Sequence, residues 1–427
     1  MYETEKKEKA LLVVVFTEEE KREWDIEEIS EEFKNLVISA GIEVTDLISV
    51  KIKKTTPSFY IGKGKAYEIA KLAQEKKADV VIFNNNLSFT QQRNLEDILM
   101  IKTIDRTQLI LDIFAHHAHT QEGSIQVELA QLEYLLPRLK GRGIMLSRLG
   151  GGIGTRGPGE KKLEVDRRRI EDRISTLREK LEKIRKHRHL LREKRIKDNV
   201  KICSLVGYTN AGKTSLLNTL VDDLQKTSDS LFTTLDPVSR RLLLSDNLEV
   251  VITDTVGFLH KLPHHLIEAF QATLEELTFS DLLLHVVDVS NRYFERLISA
   301  VEEVLEELNL ERKPKILIFN KIDKINSSLL ENIKVKYPEA VFVSALKKTN
   351  LDVLLEKIKE RLFLELAYFK VALPFSLFKI LDYLYRHTKV LKVEYHPHQI
   401  DVWLKAKEDV IFPLKKEGIF VEKIEKI

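Results

Sequence analysis

Cysteine is almost missing from this chain: Cys203 is the single one in 427 residues. One thiol can form neither an intrachain disulfide nor a cysteine metal cluster, so the expected setting is the reducing cytoplasm. No apolar run approaches the roughly 18 residues of a membrane span, so no integral membrane segment is expected. The N-terminal run ALLVVVF is short and flanked by charge, which reads as a buried strand and not as a signal peptide. Charge of one sign is also scarce, since the formal net charge is +3 although 32% of residues are charged. The informative question is therefore where the charges sit. Glycine is sparse too, but eight of the 16 fall between 141 and 159. With 43% hydrophobic residues in a chain this long, about two or three domains are expected.

The glycine-rich stretch contains GGGIGTRGPGEKK, in which Gly152, Gly154 and Gly157 match G-x-G-x-x-G. That spacing binds dinucleotides only after a strand and before a helix. Here Ile125, Leu129, Leu132, Leu136 and Leu139 step by four and three, the seam of a helix, and Ile170, Ile174, Leu177, Leu181 and Ile184 repeat it beyond the glycines. Two such helices predict an antiparallel hairpin with the glycine loop at its tip, and the dinucleotide reading loses its context. The loop carries Arg142, Arg148 and Arg156 and no acid; residues 160–197 hold 16 Lys or Arg against eight Asp or Glu. This excess reads as a basic arm for structured RNA, with no module for reading specific DNA, against the bland alternative of a solvated face laced with ion pairs.

Before the hairpin, short β-rich runs (LLVVVF, EVTDLISVKIKK, DVVIFNNN) alternate with helical ones, which predicts a small α/β domain. IGKGK at 61–65 reads as a turn into a helix and not as a phosphate site, and His116, His117 and His119 lack metal-ligand spacing.

The decisive stretch is KICSLVGYTNAGKTSLLNTL. A strand-like run leads into G-x-x-x-x-G-K-T, formed by Gly207, Tyr208, Thr209, Asn210, Ala211, Gly212, Lys213 and Thr214, and a helix follows. Such a loop cradles phosphates with backbone N–H groups; Lys213 reaches the β and γ phosphates and the Thr214 hydroxyl ligates Mg²⁺. The base is decided by ILIFNKID, ending in Asn320, Lys321, Ile322 and Asp323. One carboxylate accepts both the N1–H and the 2-amino group of guanine, whereas adenine would set a lone pair against it. In AVFVSAL, Ser344, Ala345 and Leu346 are expected to close on the guanine O6. Between these lie two switch candidates. LFTTLDP supplies Phe232, Thr233, Thr234, Leu235 and Asp236, with Thr234 expected to complete the Mg²⁺ shell; DTVG supplies Asp254, Thr255, Val256 and Gly257, with Asp254 on Mg²⁺ through water and the Gly257 amide on the γ phosphate. The expected metal set is thus Thr214, Thr234 and Asp254, and the catalytic set Lys213, Thr234 and Gly257.

On GGGIGTRGPGE with its basic helix, GYTNAGKTSLLN, LFTTLDP, DTVGFL and the order of domains, the chain resembles the HflX family, in the Obg-HflX branch of translation-associated GTPases. The resemblance implies a GTPase that binds the large ribosomal subunit and its RNA, acting in ribosome splitting, recycling or rescue under stress, or in subunit biogenesis. After DTVG stands Phe258, where a Ras-like chain carries a Gln that orients water, so slow hydrolysis in the free protein and activation by a partner are expected. Two alternatives stay open: a regulatory switch acting on a protein or membrane surface, and an RNA-remodelling NTPase with a second nucleotide site in the N-terminal domain.

The expected fold is α/β throughout: an N-terminal α/β domain (1–123), a helical hairpin (124–198) with its glycine-rich basic loop at 141–159, a Ras-like P-loop G domain (199–365) and a small C-terminal α/β domain (366–427) of interaction or support. A monomer is expected.

Overall fold

The computed structural model describes residues 8–18, 25–118, 120–149, 158–197, 200–221, 238–244, 248–258, 276–363, 366–416 and 418–424. The buried run at the N-terminus is strand β1, Lys9–Phe16, the centre of a parallel sheet of order β2-β1-β3-β4 with β2 Glu43–Lys51, β3 Val80–Phe83 and β4 Lys102–Ile104. Four helices connect and follow these strands: α1 Ile26–Ser39, α2 Lys63–Glu75, α3 Phe89–Leu99 and α4 Arg106–His117. IGKGK lies where expected, at a helix start, with Gly62 as the N-cap of α2. Asp25 caps α1 by accepting from the Glu27 amide at 3.1 Å, and Ser88 with Gln91 forms a capping box on α3.

The hairpin forms from α5, Gln121–Leu149, and α6, Pro158–Lys197. Ile125, Leu129, Ile174 and Leu177 are its buried seam, with Leu132, Leu136, Ile170, Leu181 and Ile184 packed against it. The expected loop at 141–159 is corrected to a shorter connection, because α5 continues to Leu149 and α6 starts at Pro158. A helical glycine costs only about 1 kcal/mol relative to Ala, which a long helix absorbs, and proline suits a first helical position. Arg142 and Arg148 thus belong to α5, while Arg156 lies outside the described residues. The arm is rooted firmly: the Arg138 guanidinium donates to the Leu87 carbonyl at 3.0 Å and pairs with Asp105 at 3.3 Å, and the Tyr134 hydroxyl donates to Asp105 at 2.8 Å.

The next sheet has order β10-β9-β8-β5-β7-β6, from β5 Lys201–Val206, β6 Val238–Leu243, β7 Glu249–Asp254, β8 Leu282–Asp288, β9 Lys315–Asn320 and β10 Val341–Phe342. Among the described pairings of this sheet only β6–β7 is antiparallel. Helices α7 Lys213–Val221, α8 Phe294–Glu307, α9 Ser327–Lys336 and α10 Leu351–Phe363 accompany it, the Ras-like arrangement expected. One apolar cluster joins the two α/β units: Leu36, Val37 and Phe114 pack with Tyr208, Val256, Phe258 and Val301. The N-terminal unit therefore rests directly on the phosphate loop.

The C-terminal unit carries β11 Leu366–Pro374, α11 Lys379–His387, β12 Lys389–Tyr395, β13 Gln399–Lys407, α12 Glu408–Lys416 and β14 Phe420–Ile424. The helix α12 carries Pro413 inside it.

Candidate functional site: the phosphate loop and its neighbours

The loop after β5 can be built only from glycine at two points. Gly207 has φ +151, and a Cβ there would lie 2.2 Å from the Val286 carbonyl oxygen of β8. Gly212 has φ +88, and its Cβ would lie 2.3 Å from Asn320 Nδ2. Both positions bring backbone closer to a neighbouring motif than any side chain allows.

Lys213 opens α7 with its ammonium buried, donating to the carbonyls of Gly207 at 3.0 Å and Tyr208 at 2.9 Å. Burial lowers its pKa to about 8, against Asp254, which raises it. The cation is held where an incoming triphosphate would supply the opposite charge. The Thr214 hydroxyl donates to the Asp254 carboxylate at 2.7 Å, so two hard oxygen donors meet beside the loop, a set that suits Mg²⁺. Gly257 also needs to be glycine: a Cβ there would meet Thr209 Cα at 2.9 Å and Lys213 Nζ at 3.0 Å. The Thr255 hydroxyl donates to the Leu205 carbonyl at 2.6 Å and Val256 joins the apolar cluster, so these two side chains turn into the protein.

The base-reading candidates sit across the loop. Asn320, at the end of β9, donates through Nδ2 to the Ala211 carbonyl and accepts through Oδ1 from the Ala345 amide, each at 3.0 Å. This one buried amide fastens three motifs that the sequence could only align in order. Lys321, at φ 65, donates to the Asn210 carbonyl and to Asp288, each at 2.7 Å. Asp323 stands exposed beside Ile322 in a short 3₁₀ turn, and the Ser344 hydroxyl donates to it at 2.5 Å. Ser344 thus orients the carboxylate, while the Leu346 side chain is exposed. Phe232, Thr233, Thr234, Leu235 and Asp236 lie outside the described residues. Among the described residues no group of His, Cys, Asp or Glu could by itself hold a metal ion. His119 is outside them, and His117 Nδ1 sits 2.8 Å from the Ile113 carbonyl.

Phe258 is 2% exposed, its amide donates to the Gly207 carbonyl at 3.1 Å, and its carbonyl accepts from the Thr209 amide at 2.9 Å. The ring faces the core between the two units, away from water. Replacing it with Gln is therefore expected to leave hydrolysis slow and to cost about 3–5 kcal/mol of stability, the range for truncating a buried Phe. Thermal melting with single-turnover hydrolysis checks this, and a faster, equally stable variant contradicts it.

Contacts that sequence reasoning missed tie the loop to α1. The Tyr208 hydroxyl donates to Glu32 at 2.6 Å, and Glu32 also pairs with Arg106. The Tyr293 hydroxyl donates to Asp25 at 3.0 Å, and Arg296 lies 3.6 Å from Glu28. Such partners are 176 or 268 residues apart, and only the acidic run EEISEE hints at them. Glu28, Glu32, Tyr208 and Tyr293 line a cavity of about 430 Å³ between α1, the phosphate loop and the end of β8. Burial pushes Glu28 up to about 7, against Arg296, which lowers it. Glu28 therefore keeps its proton in the folded state up to about pH 7, above the ordinary 4.5 of the unfolded chain. Its contribution to stability is fully present below 4.5 and is lost as pH rises through 7. Glu28→Gln is expected to flatten this part of the melting-against-pH profile; parallel profiles for the two proteins contradict it.

Three family profiles match the chain: GTP-binding GTPase N-terminal over 27–115, GTP-binding GTPase Middle Region over 117–195, and 50S ribosome-binding GTPase over 202–321. The GTPase HflX of Caldanaerobacter subterraneus subsp. tengcongensis is 47% identical over 396 residues, 93% of this chain and 90% of that protein. The GTPase HflX of Escherichia coli K12 is 43% identical over 369 residues, 86% of each. A GTP-binding protein from Sulfolobus solfataricus, solved in complex with GDP, is 28% identical and covers 83% of this chain and 98% of that one, with a TM-score of 0.43. The family rests on the first two, which span nearly the whole of both chains: this chain belongs to the HflX family of GTPases and is a GTP-binding hydrolase.

Proposed function

We propose that the protein is a Mg²⁺-dependent GTPase that binds the large ribosomal subunit through its basic arm, as a cytoplasmic monomer, and acts in ribosome splitting, recycling or rescue, or in subunit biogenesis. The observation that carries this reading is the shared apolar core between the N-terminal unit and the phosphate loop, with the arm rooted on that same unit through Arg138 and Tyr134. A change at Tyr208 or Gly257 then reaches the arm through packed side chains, and a rigid core has discrete arrangements in which to answer it.

Residue by residue, backbone N–H groups from Gly207 to Thr214 hold the phosphates, and Lys213 exchanges its two carbonyl partners for the β and γ phosphates. Thr214 and Asp254, with Thr234, hold Mg²⁺, which when bound offsets phosphate charge. Thr234 and the Gly257 amide sense the γ phosphate, so its loss releases both segments. Asp323, steadied by Ser344, accepts from the guanine edge, and Asn320 and Lys321 brace the phosphate loop beneath the base. The name 50S ribosome-binding GTPase on the matching profile supports the partner.

Because Phe258 orients no water, the free protein is expected to turn over slowly, and large subunits are expected to raise its GTPase rate by about 10³–10⁵, the range that a supplied arginine finger gives. Steady-state hydrolysis with large subunits, small subunits and anionic vesicles tests it. Stimulation by vesicles alone would favour a membrane switch and sink the ribosomal reading.

A further inference from the structure

The C-terminal unit has a feature the GTPase cycle does not use. Its elements run β-α-β-β-α-β, and its four strands form an antiparallel sheet of order β12-β13-β11-β14. Its core is wholly its own: Phe369, Val371, Ile400, Val402 and Leu404 pack with Leu384 and Ile411 from the two helices. Both helices therefore lie on one face of the sheet.

The alternate residues of the strands stand on the other face. There the two central strands each carry an aromatic, Tyr368 on β11 and Trp403 on β13, and lysines flank them. By register Lys370 and Lys392 lie either side of Trp403, and Lys405 lies beside Tyr368. The ammonium groups of Lys370 and Lys392 are 5.0 Å and 5.3 Å from the Trp403 ring centroid, and that of Lys405 is 5.0 Å from the Tyr368 ring. Lys392 is 55% exposed and Trp403 half-buried. Lys370 pairs with the buried Asp401 at 2.8 Å, which holds it in place, and Lys392 pairs with the exposed Glu394 at 2.6 Å, a weak surface pair that leaves its charge available to a phosphate. A tryptophan turned away from the core does nothing to fill it.

We propose that this face is a binding site for single-stranded RNA, distinct from the arm. Aromatics on the two central strands of such a sheet stack unpaired bases, and Lys370 and Lys392 beside Trp403 neutralise the backbone, while Lys405 is buried against Tyr368. Only unpaired bases can lie flat on the rings, so a duplex is not a ligand.

The chain has two tryptophans, Trp24 and Trp403, so in full-length Trp24→Phe the emission reports this face alone. Titration with an oligouridine of about ten nucleotides, within the usual site size for a single strand, is expected to quench that emission saturably, with reversal by salt. Lys392→Ala, whose partner Glu394 is exposed, is expected to weaken the quenching about fivefold and to lower its salt dependence, with the melting curve unchanged. Arg142→Ala, Arg148→Ala and Arg156→Ala together are expected to leave it intact. Emission that stays unmoved while labelled oligouridine binds the protein overturns the proposal. So does quenching that vanishes in the arm variant, or equal quenching by a duplex or by the deoxy oligonucleotide.

Discussion

Asp323→Asn is expected to weaken GTP binding by about 10²–10⁴-fold and to make xanthosine triphosphate the better ligand. In the proposed base site the carboxylate would accept two hydrogen bonds from the guanine edge, and bonds to a charged group are each worth about 1.5–3 kcal/mol. An amide in its place keeps one acceptor and turns a donor toward the 2-amino group. Xanthine carries a carbonyl there, so the amide is satisfied again. Ser344 can still donate to the remaining oxygen, as it does to Asp323 at 2.5 Å, so the turn should keep its shape. Competition of both nucleotides against a fluorescent guanine nucleotide reads the switch, and unchanged preference for GTP would remove Asp323 from the base site.

Gly212→Ala should be as severe for a different reason. Its φ of +88 is left-handed space, which costs a residue with a Cβ about 1–2 kcal/mol. The added methyl also falls 2.3 Å from Asn320 Nδ2. Asn320 cannot swing aside cheaply, since it is buried and both ends of its amide are bonded, to Ala211 and to Ala345. Breaking that amide loosens the phosphate loop, the base-reading turn and the Ser344 turn together. With about 1 kcal/mol lost per hydrogen bond added to the backbone strain, nucleotide affinity is expected to fall about 10²–10³-fold. Melting with and without excess GDP checks it: the wild type should gain stability from the nucleotide and the variant should not. An equal gain in both would contradict the account.

Much of this was legible in the sequence because the nucleotide motifs are local. A strand, a glycine turn and a helix start are specified within about a dozen residues, and the polar ends of β7 and β9 announce Asp254 and Asn320. The hairpin seam was legible for a similar reason, since its period repeats. What the chain could not announce is how distant elements meet. That Asn320 fastens Ala211 and Ala345, that Tyr208 bonds Glu32, and that Phe258 faces a core shared by two units depend on tertiary packing. The aromatic face of the C-terminal sheet was hidden too. Its residues look unremarkable along the chain and meet only through the pairing of Lys370 with Trp403 and of Tyr368 with Lys405.

The bland reading of the arm has some support, since Arg173 pairs with Glu128 and Arg178 with Glu133, each at 2.7 Å. Exposed pairs of this kind are worth about 0–1 kcal/mol, and the two partner acids lie outside 160–197, so they offset only two of the eight excess positive charges there. That excess is what a ribosomal RNA surface would attract.

The most direct measurement is co-sedimentation of the protein with isolated large ribosomal subunits, in a non-hydrolysable GTP analogue and in GDP, beside the variant with Arg142, Arg148 and Arg156 changed to Ala. Binding is expected to need the triphosphate and to weaken in the variant. Failure to bind in either nucleotide would contradict the ribosomal assignment, and equal binding by the variant would contradict the role of the arm.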